Sequence, residues 1–202
     1  EVQGYAYDAR RRVAEIARAA WDDPALATRL DADAAALRDR FDEAYWLEER
    51  GAYALALDGD KAPVDSLCSN NGHLLWSEIV PEHRRSRLAR KLVSGELYSG
   101  WGPRTMGAGE GAFNPLGYHT GTVWPHDTAI AAWGLALAGE WERAWMLARG
   151  LIDAARFFDH SLPEVFAGYA RDETAFPVAY PTAARPQAWA AGAPILALRV
   201  LL

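Results

Sequence analysis

Residues 125–158 read PHDTAIAAWGLALAGEWERAWMLARGLIDAARFF, and they give the strongest indication of the architecture. The first part, 125–138, is strongly apolar and has proline at its first position, which predicts a buried helix. The second part, 140–158, spaces apolar residues three and four apart among charged ones, which predicts a helix with one solvated face. A buried helix followed closely by an amphipathic partner predicts a helical hairpin.

The same alternation runs along the rest of the chain. Apolar helices are predicted at 73–80 and 187–202, and charge-rich amphipathic helices at 25–46 and 82–94. An inner ring of buried helices inside an outer ring of half-solvated ones requires this pattern. The sequence therefore predicts an all-α toroid of helical hairpins.

The number of predicted helices indicates what fraction of such a toroid these residues form. With a first helix over 5–20, about seven helices can be counted, whereas a closed ring of six hairpins needs about twelve. Residues 1–202 are therefore expected to form the C-terminal half or so of one toroidal domain. A short alternating run followed by Asp58-Gly59-Asp60 predicts a small β-hairpin inserted near 51–66.

Composition excludes several classes of function. A net charge of −6 provides no basic surface for nucleic acid, and no stretch approaches the roughly 20 apolar residues that span a bilayer. The single cysteine, Cys68, forms no internal disulfide and fits a reducing, cytoplasmic compartment. Paired cysteines, a His-Glu-x-x-His pattern and a phosphate-binding loop are all missing, so we expect neither a metal nor a cofactor.

Three irregular stretches precede predicted inner helices or lie between them, where a toroid would gather its functional groups at one end. They cover 114–127, 161–169 and 180–193. The chain has nine tryptophans, eight tyrosines and six phenylalanines, and aromatic faces stack on the apolar faces of sugar rings. These stretches therefore predict a sugar-binding site, although packing in the core is the favoured role for any single ring.

Carboxylates within the irregular stretches are candidates for acid and base chemistry. Asp127 could either complement the dipole of its helix or bind a ligand. Glu164, between Pro163 and Val165, could serve as a base in a partly desolvated cleft or be an exposed loop acid. Glu110 and Glu173 are weaker candidates for the same role.

Taken together, the motifs resemble those of glycogen-debranching-type amylo-α-1,6-glucosidases. The matching motifs are Glu-Val-Gln-Gly-Tyr at 1–5, Tyr-His-x-Gly-x-Val-Trp-Pro-His-Asp at 118–127, Leu-Pro-Glu at 162–164 and Pro-Gln-Ala-Trp-Ala-Ala-Gly-Ala at 186–193. The resemblance implies an (α/α)6 barrel and hydrolysis of α-1,6 branch linkages in a glycogen-like glucan, with inversion at the anomeric carbon. It also implies that the N-terminal remainder of the barrel, in the same or another chain, completes the site.

Roles of individual residues follow from the same resemblance. Glu164 matches the general base, which activates water in an inverting hydrolase. The family's general acid lies in a Gly-Trp-Lys-Asp type motif that does not occur here, so it is expected upstream of this sequence, and these residues alone could be inactive. The expected ligands of the oligosaccharide substrate are Glu1, Gln3, Tyr118, His119, Trp124, Asp127, Gln187 and Trp189.

Two other classes of function stay open. A sugar epimerase on the same toroid would need a pair of histidine bases, which His119 with His126 or His160 could provide. A non-catalytic carbohydrate-binding or scaffold fragment would keep the aromatic rings and lack hydrolysis. Release of glucose from a branched glucan separates both alternatives from a hydrolase.

Overall fold

Eight helices and two short β-hairpins make up the protein, whose structure is a computed structural model that describes residues 1–202. The helices are α1 (Val2–Ala19), α2 (Pro24–Tyr45), α3 (Asn70–Trp76), α4 (Glu82–Leu92), α5 (Pro125–Leu137), α6 (Trp141–Ala155), the four-residue α7 (Arg171–Thr174) and α8 (Ala188–Leu201). The strands are β1 (Trp46–Leu47), β2 (Ala52–Tyr53), β3 (Ala56–Leu57) and β4 (Pro63–Val64). A 3-10 turn, Arg156–Phe158, extends α6.

The predicted hairpin of a buried and a half-solvated helix is confirmed by α5 and α6. Nine of the thirteen residues of α5 are buried, against six of the fifteen residues of α6. α1 packs on α2, α3 on α4 and α5 on α6, while α5 also packs on α3 and α8. The inner helices therefore follow one another as α1, α3, α5 and α8, and α2, α4 and α6 lie outside them.

Close approach of the inner helices depends on glycine. A Cβ added to Gly72 of α3 would lie 2.4 Å from the Cβ of Ala131 in α5. Atoms cannot pack at that distance, so α3 and α5 lie closer together than side chains at this point would allow. Gly72 thereby brings the first turn of α3 against the middle of α5.

α3 begins earlier than the apolar pattern predicts, and it also ends earlier. The sequence favours a helix over 73–80, with Asn70-Asn71-Gly72 as a turn before it, whereas the helix covers 70–76. Asn71 lies inside the helix because its side-chain amide binds the backbone of Tyr53, accepting from N–H at 2.9 Å and donating to the carbonyl oxygen at 3.3 Å. Local turn chemistry is overridden here by a contact with a strand eighteen residues away.

The expected hairpin near 51–66 is in fact a pair of hairpins. β1 pairs with β2 and β3 with β4, both antiparallel. The chain changes partner between Ala54, whose N–H donates to the carbonyl of Tyr45, and Leu55, whose N–H donates to that of Val64. An uninterrupted run of apolar residues hides such a change because both halves have the same character.

α8 is as apolar as predicted, yet it is buried on one face only. Its buried residues are Ala190, Ala193, Ala197 and Val200, while Trp189, Ile195 and Leu198 are exposed. No element of residues 1–202 packs over the second face. None of the helices combines the length and the apolar composition that a bilayer crossing requires.

Candidate active site

The carboxylate of Glu164 is held at both oxygens. Oε1 accepts a hydrogen bond from the Tyr118 hydroxyl at 2.9 Å, and Oε2 accepts one from the backbone N–H of Ala184 at 3.2 Å. The backbone N–H of Glu164 donates to the carbonyl of the same Ala184 at 3.0 Å. The half-buried side chain keeps lone pairs for a further donor, such as a water molecule.

Backbone pairing between distant loops brings Tyr118 and Glu164 together. Val123 and Phe166 exchange hydrogen bonds of 2.9 and 3.0 Å, and Phe166 forms a further bridge with Ala179. Phe166 is fully buried, which fixes this small ladder against the core. With the pairing of Glu164 and Ala184, all three irregular stretches singled out in the sequence therefore lie side by side.

Aromatic rings surround the Tyr118 side of the carboxylate. The Tyr118 ring lies 4.9 Å from Trp124 and 5.6 Å from Tyr180, measured between ring centroids. His119 stacks parallel to Trp124 at 5.5 Å. The indole N–H of Trp124 donates to the carbonyl of Tyr118 at 3.2 Å, so the ring is fixed by its polar edge and leaves its faces for packing or stacking.

A second group of rings joins this cluster to α8. His126 lies edge-on to Trp189 at 4.4 Å and to Trp124 at 5.7 Å. Trp189 is 59% exposed, which is unusual for tryptophan. The rings of Tyr118, Trp124, His126 and Trp189 thus form a continuous series from the loop before α5 to the first turn of α8.

Asp127 belongs to a buried hydrogen-bonded chain between three inner helices. Its Oδ1 lies 2.5 Å from Nε2 of His73 in α3, and Nδ1 of His73 lies 2.6 Å from the hydroxyl of Tyr5 in α1. Asp127 is 6% exposed and His73 is 3% exposed. Burial alone would raise the pKa of Asp127, but the hydrogen bonds from His73 and Ser69 hold that pKa below its ordinary value.

Sequence reasoning misses His73 and the contact that Tyr5 makes with it. Tyr5 belongs to the Glu-Val-Gln-Gly-Tyr motif without a role assigned to it, and His73 has the pattern of an ordinary residue of an apolar helix. The available signal is a histidine in an apolar inner helix near its N-terminal end. A buried histidine needs hydrogen-bond partners, and the acid of the neighbouring inner helix is the nearest candidate.

Replacing Asp127 by asparagine is expected to destabilise the fold at neutral pH by about 2 kcal/mol, because the charge-assisted bonds from His73 and Ser69 are weakened. The lowered pKa of Asp127 means that its stabilising effect is present above the unfolded-state pKa of about 4 and is lost as pH falls through the lower folded-state value. Urea unfolding between pH 7 and pH 2.5 checks this. The wild-type protein should lose more stability over that range than Asp127→Asn, and parallel curves would contradict the prediction.

His126 lies among several charges of the candidate site. Burial lowers its pKa, and the charge of Asp127, followed by those of Glu1 and Glu164, acts in the opposite direction. Both Glu1 and Glu164 are therefore close enough to affect this ring. The Nδ1 atom of His126 is buried and has no hydrogen-bond partner in the protein.

Three other residues expected to bind sugar, Glu1, Gln3 and Gln187, lie outside the cluster of rings. Glu1 and Gln3 line a cavity of about 290 Å³ beside the first hairpin and α3, and Glu164 does not line it. The Oε1 atom of Gln187 accepts a hydrogen bond from the N–H of Ala190 at 2.8 Å, which makes Gln187 the N-cap of α8. Its amide N–H groups remain available to a ligand.

The weaker candidate acids and the third histidine have other surroundings. Glu110 accepts hydrogen bonds from Arg50 and from the N–H of Leu67, and Glu173 accepts one from the N–H of Ala170 in its own turn. His160 lines a cavity between α6 and α8, where Pro194 also lies. Only Glu164 among these acids is bonded to the aromatic cluster.

Solved structures with the same arrangement of helices are glycosidases of the (α/α)6 class. A neutral trehalase from Saccharomyces cerevisiae superposes with a TM-score of 0.77 at 14% identity, over 99% of this chain and 37% of the trehalase chain. A GH63 mannosylglycerate hydrolase from Thermus thermophilus, in complex with glucose, superposes with a TM-score of 0.73 at 20% identity, over 98% of this chain and 46% of that chain. These likenesses confirm the predicted toroidal fold.

Family assignment follows from the sequence itself. The model of the mannosylglycerate hydrolase MGH1-like glycoside hydrolase domain matches residues 1–172, and the chain belongs to that family. No curated protein matches the chain significantly. The chain spans less than half the length of the solved structures named above. Membership of this glycoside hydrolase family agrees with the predicted class of enzyme, whereas membership of the debranching family stays a prediction.

Proposed function

We propose that the protein hydrolyses an α-glycosidic bond with inversion and that Glu164 is the general base. One observation carries the proposal: the carboxylate of Glu164 is fixed by the Tyr118 hydroxyl and the Ala184 N–H beside an array of aromatic rings. Each oxygen accepts one of these bonds and has capacity for another. A water molecule bound there would be held in one orientation, as attack on an anomeric carbon requires.

Aromatic rings would bind the sugar next to that water. We assign Tyr118, His119, Trp124 and Trp189 to stacking and hydrogen bonding along the ring, because their side chains form, through His126, one continuous series that ends at Glu164. Glu1, Gln3 and Gln187 would bind hydroxyl groups at its edges. A direct contact from Asp127, also expected from the sequence, would require the sugar to reach a carboxylate that is almost fully buried.

The partner acid is proposed to lie outside residues 1–202. An inverting hydrolase needs a second carboxyl group on the opposite side of the glycosidic bond, about 6.5–9.5 Å from the first. Asp127 is committed to His73, and Glu1 is an exposed residue at the start of α1. We therefore propose that residues 1–202 are one part of a single (α/α)6 domain, whose remainder carries the general acid. The single buried cysteine fits a cytoplasmic protein.

The substrate is proposed to be an α-1,6-glucosidic branch of a glycogen-like glucan, on the strength of the motifs at 118–127, 162–164 and 186–193. A second candidate is a small α-glycoside such as mannosylglycerate, which the description of the matched family favours. The two substrates differ in the sugar that is released, which is glucose in one case and mannose in the other, and in the group beyond the broken bond. One has a further sugar, and the other has a small carboxylate.

Incubation of the complete gene product with isomaltose, panose, a limit dextrin, trehalose and mannosylglycerate tests the proposal. We expect release of the sugar as the inverted anomer, followed by proton NMR before mutarotation, from one class of substrate at least a hundredfold faster than from the others. Such a preference corresponds to about 3 kcal/mol in the transition state. Interconversion of free sugars without hydrolysis would favour the epimerase, and binding without turnover would favour the scaffold.

A further inference from the structure

The buried chain from Asp127 through His73 ends at the hydroxyl group of Tyr5, a residue that is 37% exposed. We propose that the Tyr5 hydroxyl contacts the sugar, and that His73 and Asp127 are positioning residues that act on the sugar only through Tyr5. This inference rests on the proposed function, because it assumes a sugar at the inner-helix end where Glu164 lies. The buried carboxylate of Asp127 would then serve to hold His73, and through it Tyr5, in position.

For a neutral imidazole at His73, the hydrogen-bonding capacity of the three groups assigns which atoms donate. Asp127 is a carboxylate at neutral pH and can only accept, so Nε2 of His73 donates to it over 2.5 Å. In a neutral imidazole the other nitrogen is then an acceptor, and the Tyr5 hydroxyl donates to Nδ1 over 2.6 Å. The proton of Tyr5 is thereby occupied, while its oxygen can still accept from a ligand. Tyr5 would select a sugar hydroxyl that donates at that position.

Contacts of its ring fix the Tyr5 side chain, so that its oxygen has a defined position for accepting a hydrogen bond from a ligand. Its ring makes edge contacts with His73 at 5.8 Å and Trp76 at 5.9 Å, and the residue is 37% exposed. Burial, together with the charges of Glu1 and Asp127, raises the pKa of Tyr5 to about 12. Tyr5 therefore stays protonated at neutral pH and is suited to hydrogen bonding rather than to proton transfer.

The hydrogen-bonded chain of Tyr5, His73 and Asp127 adjoins the ring series at the start of α5. Asp127 adjoins His126, whose ring contacts both Trp124 and Trp189. The Tyr5 hydroxyl makes no hydrogen bond in the protein other than the one to His73.

A double-mutant cycle in the complete gene product tests the inference. The variants are Tyr5→Phe, His73→Asn and their combination, and the measurement is the affinity for D-glucose and isomaltose by titration calorimetry. Loss of one hydrogen bond should weaken binding about 3- to 10-fold in each single variant. If His73 acts through Tyr5, His73→Asn should add no further loss in the Tyr5→Phe background.

Matched controls separate this coupling from a general loss of structure. Tyr7→Phe removes a hydroxyl from the buried side of the same helix and should leave the affinity unchanged. If His73→Asn does not fold, Asp127→Asn combined with Tyr5→Phe provides the same cycle. The stability of every variant is measured in parallel, because a structural role predicts coupled stability without coupled affinity.

Three results would overturn the inference. They are an unchanged affinity in Tyr5→Phe, losses that multiply in the double variant, and failure of the wild-type protein to bind either sugar. Failure of the proposed function gives a different pattern. In that case hydrolysis is missing or survives Glu164→Gln, while the coupling between Tyr5 and His73 in sugar binding is still observed.

Discussion

Glu164→Gln is expected to reduce kcat for glycoside hydrolysis by about a hundred- to ten-thousandfold, the usual contribution of a positioned general base. Glutamine has nearly the same shape and can still accept the hydrogen bond from Tyr118, whereas the 3.2 Å bond from the Ala184 N–H is lost, so most of the local structure should be kept. What it cannot do is take a proton from water. Initial rates of sugar release by the complete gene product, on whichever substrate proves best, measure the effect.

Removal of a general base should lower kcat without weakening the binding of the substrate. We expect the affinity of Glu164→Gln for the intact substrate to stay within about threefold of the wild-type value, since uniform binding does not depend on proton transfer. Glu173→Gln is the matched control, because its carboxylate serves only its own turn and should leave kcat unchanged. Retention of a tenth or more of wild-type kcat by Glu164→Gln would remove Glu164 from the role of base.

Helix type was predictable from sequence because inner and outer positions differ in composition over whole helices. After Thr128, α5 contains only apolar residues and one glycine up to its end at Leu137. Such a helix has no face that water could solvate. α6 has Glu142, Arg143 and Arg149 on the side that stays in solvent. These differences extend over more than ten residues, so single contacts cannot reverse them.

Boundaries that depend on one long-range contact were not predictable. α3 starts at Asn70 because Asn71 binds the backbone of Tyr53, and the strands divide after Ala54 because Leu55 finds a partner at Val64. In both cases the local sequence is compatible with another arrangement. The alternative helix starts and strand pairings are nearly equal in free energy by local propensity, and tertiary hydrogen bonds determine which of them forms.

The candidate site residues also fall into a group that could be predicted from the sequence and a group that could not. Tyr118, Trp124 and Glu164 could be singled out because they lie in irregular, aromatic-rich stretches that a compact domain rarely contains without a use. The contact of Tyr5 with His73 could not, since these residues are 68 positions apart and both lie in ordinary helices. A contact between two helices of the toroid does not change the spacing of apolar residues in either helix, so the sequence does not reveal it.

Gly72→Ala is expected to destabilise the fold by about 3 kcal/mol, at the upper end of the range for an overpacked core. The new methyl group would lie 2.4 Å from the Cβ and 2.9 Å from the Cα of Ala131, so α3 and α5 would have to separate. Since the backbone of Ala131 is involved, a change of rotamer cannot relieve the contact. Guanidinium unfolding, monitored by tryptophan fluorescence, measures the loss.

Gly192→Ala is the matched control for this prediction. Gly192 lies in another inner helix, and a Cβ there would meet no atom within 4 Å. Because alanine favours helix more than glycine does, this variant should be unchanged or up to about 1 kcal/mol more stable. Adding Ala131→Gly to Gly72→Ala should restore part of the lost stability by removing the nearer of the two contacts. Equal stability of Gly72→Ala and wild type would mean that α3 and α5 are not in close contact at this point, and the positions of His73 and Asp127 relative to each other would then lose their support.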